Sequence, residues 1–232
     1  MAKLLILIIL SGIFTAITLL IIIICIRYCD KILLRWYKAE PLDDVFISEI
    51  VQNLALDAGL RPPKIYLARS DMANAFTVGK GEKQASIVFT TAMLELLEPE
   101  ELYGVVAHEI YHVKTELRKR SLAALFSGAI SSVATLAFWS SLLLGFGAED
   151  DPAPKLIKQF AMSVVAPHAS MIINLIVNTR RSESEADSFS ARLCGENKNL
   201  KRAIEKLGGE TYAANPGHTH LYFVNPLPKE TF

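Results

Sequence analysis

The run "LLILIILSGIFTAITLLIIIICI", residues 4–26, constrains this chain more than any other feature, because it carries no charge at all. As a helix it is long enough to cross the ~30 Å hydrocarbon layer of a bilayer. It exceeds the ~7–15 apolar residues of a secretory signal, and no small-residue cleavage pattern follows, so it reads as a retained transmembrane helix. Two further uncharged runs, 122–148 and 160–179, repeat the theme. The second carries Ser127, Gly128, Ser131, Ser132, Ser140, Ser141, Gly145 and Gly147, small residues that let membrane helices approach closely. Two helices buried in a soluble core or lying at the membrane interface are the competing arrangement.

The flanking charges favour the membrane. Arg27, Lys31, Arg35 and Lys38 follow the first run, Arg118, Lys119 and Arg120 precede the second, and Arg180 and Arg181 follow the third. By the positive-inside bias all three ends are cytoplasmic. The connector "EDDPAPK" suits a short outside turn, which gives an amino terminus outside and both polar regions inside. Overall charge balances at 24 basic and 24 acidic residues, so no global basic field argues for nucleic acid. Cys25, Cys29 and Cys194 lack C-x-x-C spacing and read as reduced structural thiols.

The polar region before residue 120 reads as mixed α and β. "LDDVFISEIVQNLALDAG" is an amphipathic helix, with Val45, Phe46, Ile50 and Leu54 assigned to one face and Gly59 to its end. Lys64 to Ala68 form a short strand, and 75–78 pair with 86–90 as a hairpin around Gly79-Lys80-Gly81. Thr90 or Thr91 caps the next helix. Pro99, Glu100 and Glu101 then open a long helix whose buried side is Leu102, Val105, Val106, Ile110 and Val113.

That helix contains "GVVAHEIYHVK". One turn apart, His108 and His112 share a face and can reach one ion. Glu109 lies beside the first of them, offset around the axis, where a carboxylate can take a proton from a water held at an open coordination position. Two imidazoles need a further ligand. Glu116 continues the same stripe, but a third group on one straight helix is badly placed for a tetrahedron. The run "NTRRSESEADSFSARL" offers Glu183, Glu185 and Asp187 on a second helix. Of these, Glu183 and Asp187 are one turn apart, as a ligand and an acceptor for a histidine N–H are expected to be, while Glu185 points elsewhere. His168 lies deep in an apolar run and reads as a packing or hydrogen-bonded histidine.

With these residues in view, the chain resembles the HtpX-type membrane zinc metalloproteases, relatives of the CAAX prenyl protease. "NAFTVG", "IVFTTAMLELL", "LYGVVAHEIYHVK", "TRRSESEAD" and "THLYFVNPL" are each similar to segments of that family. The resemblance implies that His108, His112 and Glu183 ligate zinc, that Glu109 is the general base and that Asp187 supports the ligands from behind. It further implies that the strand carrying Asn74, Ala75, Phe76 and Thr77 aligns the substrate backbone, a role open to any edge strand. Three features depart from the family. One hydrophobic segment, where two are usual, precedes the polar part, Tyr111 stands where a small residue is frequent, and the family's distal His-Pro-Pro segment has no counterpart.

The expected protein is therefore mainly α, a multi-pass membrane protein with about three transmembrane helices and a cytoplasmic α+β zinc-metalloprotease domain containing a small β-sheet. Its expected parts are a membrane helix at 1–28, a catalytic part at 29–120, a membrane hairpin at 121–179 and a second catalytic part at 180–232. The expected activity is zinc-dependent endopeptidase action at the cytoplasmic face of the cell membrane, in membrane-protein quality control and stress response. One Zn²⁺ per chain is expected, with polypeptide substrates that include misfolded membrane proteins, the lipid bilayer as surroundings and no nucleic acid. The alternatives are a zinc-binding membrane scaffold without turnover and a prenyl-protein-type processing protease.

Overall fold

In the computed structural model the residues described are 2–115, 117–143, 179–195, 198–207 and 223. They form mainly helices around one small mixed sheet. Helix α1 (Ala2–Trp36) leads to strand β1 (Glu40–Pro41), helix α2 (Val45–Asp57) and strands β2 (Lys64–Ala68), β3 (Ala75–Gly79) and β4 (Ala85–Thr90). Helices α3 (Thr91–Leu96), α4 (Pro99–Lys114), α5 (Leu117–Leu143), α6 (Thr179–Cys194) and α7 (Lys198–Leu207) follow. The strand order is β1-β2-β4-β3, with β2 parallel to β4 and the other two pairings antiparallel. The expected hairpin is present, in the register Ala75 opposite Phe89 and Thr77 opposite Ile87.

Strand alternation splits the sheet's side chains between two cores. Ala75, Ile87 and Phe89 face a cluster with Ile50, Val51 and Leu54 of α2 and Val105, Val106 and Ile110 of α4. Phe76, Val78 and Val88 face the opposite way, against Cys29 and Leu33 of α1 and Ala124 and Leu125 of α5. One face of the sheet thus carries the motif helix, and the other carries the helices that lead into the apolar runs.

Several expectations are revised. The buried stripe of α2 is Ile47, Ile50, Val51, Leu54 and Ala55, an i, i+3, i+4, i+7 pattern, whereas Val45 and Phe46 are exposed. Asp44 caps this helix by accepting the Ile47 N–H, and Gly59 takes the left-handed backbone at its end (φ 74°). The long motif helix is two helices, because Thr115 leaves helical geometry (φ −107°, ψ −85°) between α4 and α5. Arg120, one of the basic residues that precede the second apolar run, is buried, 2% exposed. Glu116, 144–178 and most of 208–232 lie outside the described residues, and so do His168 and the "EDDPAPK" connector.

Among the residues whose side chains are described, no helix is long and apolar enough to cross a membrane. The run at 4–26 is nevertheless helical in its backbone within α1, and the run starting at Leu122 is helical to Leu143. Helix α1 kinks at Tyr28 (φ −128°, ψ 18°), and there Lys80 Nζ donates to the Arg27 carbonyl at 3.0 Å. The kink separates the apolar run from Cys29 and Leu33, which are packed on the sheet.

Candidate metal centre

Helix α4 is positioned by its apolar side and by its first turn. Glu101 accepts the Glu98 N–H at 2.9 Å and pairs with Lys206 of α7 at 2.7 Å. The approach of α7 is close: a Cβ on Gly104 would meet the Leu200 backbone nitrogen at 3.0 Å. Helix α6 lies along the same helix through small residues, Ser182, Ala186 and Ser190, all buried and one turn apart. Ser190 Oγ donates to the Gly104 carbonyl at 2.9 Å. This packing brings the acidic face of α6 over the histidine face of α4.

Three side chains then converge. His108 Nε2 lies 3.1 Å from His112 Nε2 and 3.1 Å from Glu183 Oε2, and His112 Nε2 lies 3.6 Å from Glu183 Oε1. Behind them Asp187 Oδ1 sits 3.0 Å from His108 Nδ1, so this nitrogen donates and Nε2 is turned to the cluster. The Thr77 hydroxyl of β3 donates to Glu109 Oε2, while Glu109 Oε1 is buried with no hydrogen-bond partner among the described residues. Glu185 is turned away, accepting from Tyr111 at 2.5 Å and pairing with Arg181 at 2.8 Å on the exposed side of α6.

The electrostatics follow from burial and neighbours. Burial depresses the His108 pKa, but Asp187 and Glu183 outweigh it and raise the value to about 9. Burial, then the nearby Arg120, lowers His112 to about 3. The two Nε2 atoms meet at 3.1 Å, so at most one of them carries a proton there. Burial raises the Glu109 pKa, as expected of a base kept out of water. Burial opposes ionisation of Glu183 as well, but its contacts with the two histidines and Arg120 hold it well below the usual carboxylate range.

Of the four residues assigned to a substrate strand, only Thr77 reaches the centre with its side chain. Phe76 packs on the opposite face against Tyr37, with ring centroids 4.5 Å apart. Asn74 Oδ1 accepts the Ala75 N–H at 3.0 Å. Strand β3 ends the sheet, but all five of its residues are buried. Part of its outer edge is already engaged: the Ala75 carbonyl accepts from Phe223 N at 3.0 Å, and Gly79 N donates to Ser121 Oγ at 2.9 Å. The Phe223 ring meets His108 edge-on at 4.8 Å.

The donor set fits a zinc ion. Zinc–nitrogen and zinc–oxygen bonds of ~2.0–2.2 Å in a tetrahedron separate ligand atoms by about 3.3–3.6 Å. The two Nε2 atoms are 3.1 Å apart and Glu183 Oε2 lies 3.1 Å from His108 Nε2, close to this, while the other carboxylate oxygen, Oε1, stands 3.6 Å from His112 Nε2. His108, Glu109 and His112 each offer a ligand atom within 4.8 Å of the others, and all three are buried.

The model of "Peptidase family M48" matches residues 41–221, most of the chain. The chain belongs to peptidase family M48. Among M48 relatives, a "Protease HtpX homolog" of Persephonella marina is 37% identical over 212 residues, covering 86% of this chain and 73% of the relative. A "Protease HtpX" of Legionella pneumophila is 34% identical over 212 residues, covering 88% and 75%. The crystal structure of S. mikatae Ste24p shares the M48 fold, with a TM-score of 0.50 at 19% identity. That likeness covers 92% of this chain, which spans only 55% of the Ste24p chain. Membership of M48 makes the His108-Glu109-His112 cluster that of a metalloprotease family.

Sequence reasoning missed two supports of this centre. Thr77 was assigned to substrate, yet its hydroxyl holds Glu109. Arg120, a basic residue flanking the second apolar run, also donates from Nη1 to Glu183 Oε1 at 2.6 Å and stands 3.2 Å from His112 Nδ1.

Proposed function

We propose that this chain is a membrane-integrated zinc endopeptidase in which His108, His112 and Glu183 hold one zinc ion and Glu109 is the general base. Zinc in such a site acidifies water and polarises a peptide carbonyl. The chain's own residues do the rest. Glu109 is held by Thr77 at one oxygen, and its other oxygen is free to accept a proton and pass it to a leaving amine. Asp187 fixes the His108 ring so that Nε2 is offered to the metal. The backbone of Thr77, on the outer edge of β3 by its register, supports an extended peptide beside Glu109.

The observation that carries this reading is the convergence of two imidazole nitrogens and a carboxylate from a separate helix on one point, next to a buried glutamate with a free oxygen. Membrane integration is supported by α1. Leu20, Ile21, Ile22, Ile23 and Ile24 are 37–61% exposed. At 3.6 residues per turn five consecutive positions cover every side of a helix, and an apolar surface all round suits lipid. The basic residues after this run favour a catalytic part at the cytoplasmic face, where membrane-protein quality control is the fitting role.

The test is casein cleavage by the full chain, purified in detergent with zinc, beside Glu109→Gln. Cleavage that disappears in the variant is expected. Stoichiometric zinc with no Glu109-dependent cleavage would leave only the scaffold alternative. For topology, a thiol label on Lys83→Cys, with the native cysteines replaced, should react from the cytoplasmic side only. Labelling from outside would reverse the orientation.

A further inference from the structure

We propose that Arg120 is a positioning residue of the metal centre, holding Glu183 so that it presents a single oxygen to the metal. The inference rests on the reading of His108, His112 and Glu183 as ligands. The guanidinium is 2% exposed, and burying a cation is costly unless it is paired. Glu183 Oε1, at 2.6 Å, is one of its partners, through a short charge-assisted hydrogen bond. It also stands 3.2 Å from His112 Nδ1. A guanidinium only donates, so that second contact uses the Nδ1 lone pair, whereas a metal on Nε2 of a neutral imidazole leaves the proton on Nδ1. The contact with Glu183 is the one compatible with a loaded site.

With Oε1 engaged by Arg120, Oε2, 3.1 Å from His108 Nε2, is the oxygen left for the metal. A carboxylate released from the arginine can turn and bind through both oxygens, filling the position that a catalytic site keeps open. Arg120 comes from α5, so the helix that continues into the second apolar run also sets the posture of the third ligand on α6. Leu117, Ser121 and Ala124 are buried on the same side of α5, which fixes Arg120 there.

Cobalt(II) tests this, because its visible spectrum distinguishes four-coordinate from five-coordinate sites. The full chain in detergent, loaded with cobalt(II), should give an intense four-coordinate spectrum. Arg120→Gln should shift it to the weak five-coordinate form and lower zinc affinity by ~10–100-fold, the usual cost of removing a partner of a ligand. Arg120→Lys, which keeps a cation beside Oε1, should retain the four-coordinate spectrum. A five-coordinate wild-type spectrum overturns the proposal without any variant, and so does Arg120→Gln with unchanged spectrum and affinity. A wild-type chain that takes up neither cobalt nor zinc overturns the ligand assignment beneath it.

Discussion

Helices α4 and α6 both have 16 residues and both supply the metal centre, but they are held by different means. Eleven residues of α4 are buried, including Leu102, Val105, Val106, Ile110 and Val113, so the hydrophobic effect fixes it between the sheet and α7. Among its described side chains, helix α6 buries only Ser182, Ala186 and Ser190, and presents Ser184, Glu185, Ser188 and Arg192 to solvent. Its alignment combines the half-buried Phe189, Leu193 and Cys194, packed against the core that holds α4, with small-residue contact and polar bonds to the centre. The helix carrying His108, Glu109 and His112 belongs to the core, whereas the helix carrying Glu183, the proposed third ligand, is held by less apolar burial and by its polar contacts with that helix.

The largest effect separates the two carboxylates by role. Glu109→Gln on α4 should reduce casein turnover by ~10²–10⁴-fold, the range for removing a general base, with zinc content unchanged. Glu183→Ala on α6 should abolish turnover through loss of zinc, seen by metal analysis after gel filtration. Equal loss of zinc in both variants would erase the distinction.

How far the sequence shows these roles depends on the kind of contact. His108 with His112, and Glu183 with Asp187, are pairs one turn apart, so a single helical period reveals them. That α6 reaches α4 at all is tertiary, and the sign of it, small residues at 182, 186 and 190, is hard to read in a polar helix. Arg120 was hidden by its neighbours Arg118 and Lys119, which are exposed; its spacing from Leu117 and Ala124 marks the buried face. The stripe of α2 was legible at 47, 50, 51 and 54 but was shifted onto Val45 and Phe46, whose apolarity outweighed periodicity. The sheet was legible where strands alternate, and the two-residue β1 was not, because such a strand has no period to read.

Packing variants sharpen the contrast next. Ile110→Ala, at a fully buried position of α4, should cost about 2–5 kcal/mol in chemical unfolding whether or not zinc is present. Ala186→Leu should overpack the α4–α6 contact at a cost of about 1–3 kcal/mol. Because α6 carries part of the proposed site, Ala186→Leu should also weaken zinc binding, so excess zinc should widen its deficit relative to wild type and leave the Ile110→Ala deficit unchanged. Identical responses to zinc would mean that the two helices unfold as one unit.

A smaller effect is expected behind the ligands. Asp187→Ala frees the His108 ring and should weaken zinc binding by ~10–100-fold, measured by competition with a chromogenic chelator. Glu185→Ala, two residues away, removes only the exposed contacts with Tyr111 and Arg181 and should leave affinity unchanged. Comparable losses from both would show that the surface network, rather than Asp187, steadies α6.

The smallest effect lies at the far end of α4 and carries a pH signature. Burial opposes ionisation of Glu101, but Lys206 and the Glu98 N–H overcome it and its pKa is lowered. A carboxylate with a folded pKa below its unfolded value stabilises the fold above the unfolded value, and that contribution is lost as pH falls through the folded one. Glu101→Gln should therefore cost about 1–2 kcal/mol at neutral pH and progressively less on acidification below about pH 4.5. The comparison of interest is zinc affinity at neutral pH. Glu101 anchors α4 to α7 away from the metal, so the variant should lose stability without losing zinc affinity. A parallel fall in affinity would show that the ligand helix, for all its apolar burial, takes its position at the centre from its first turn.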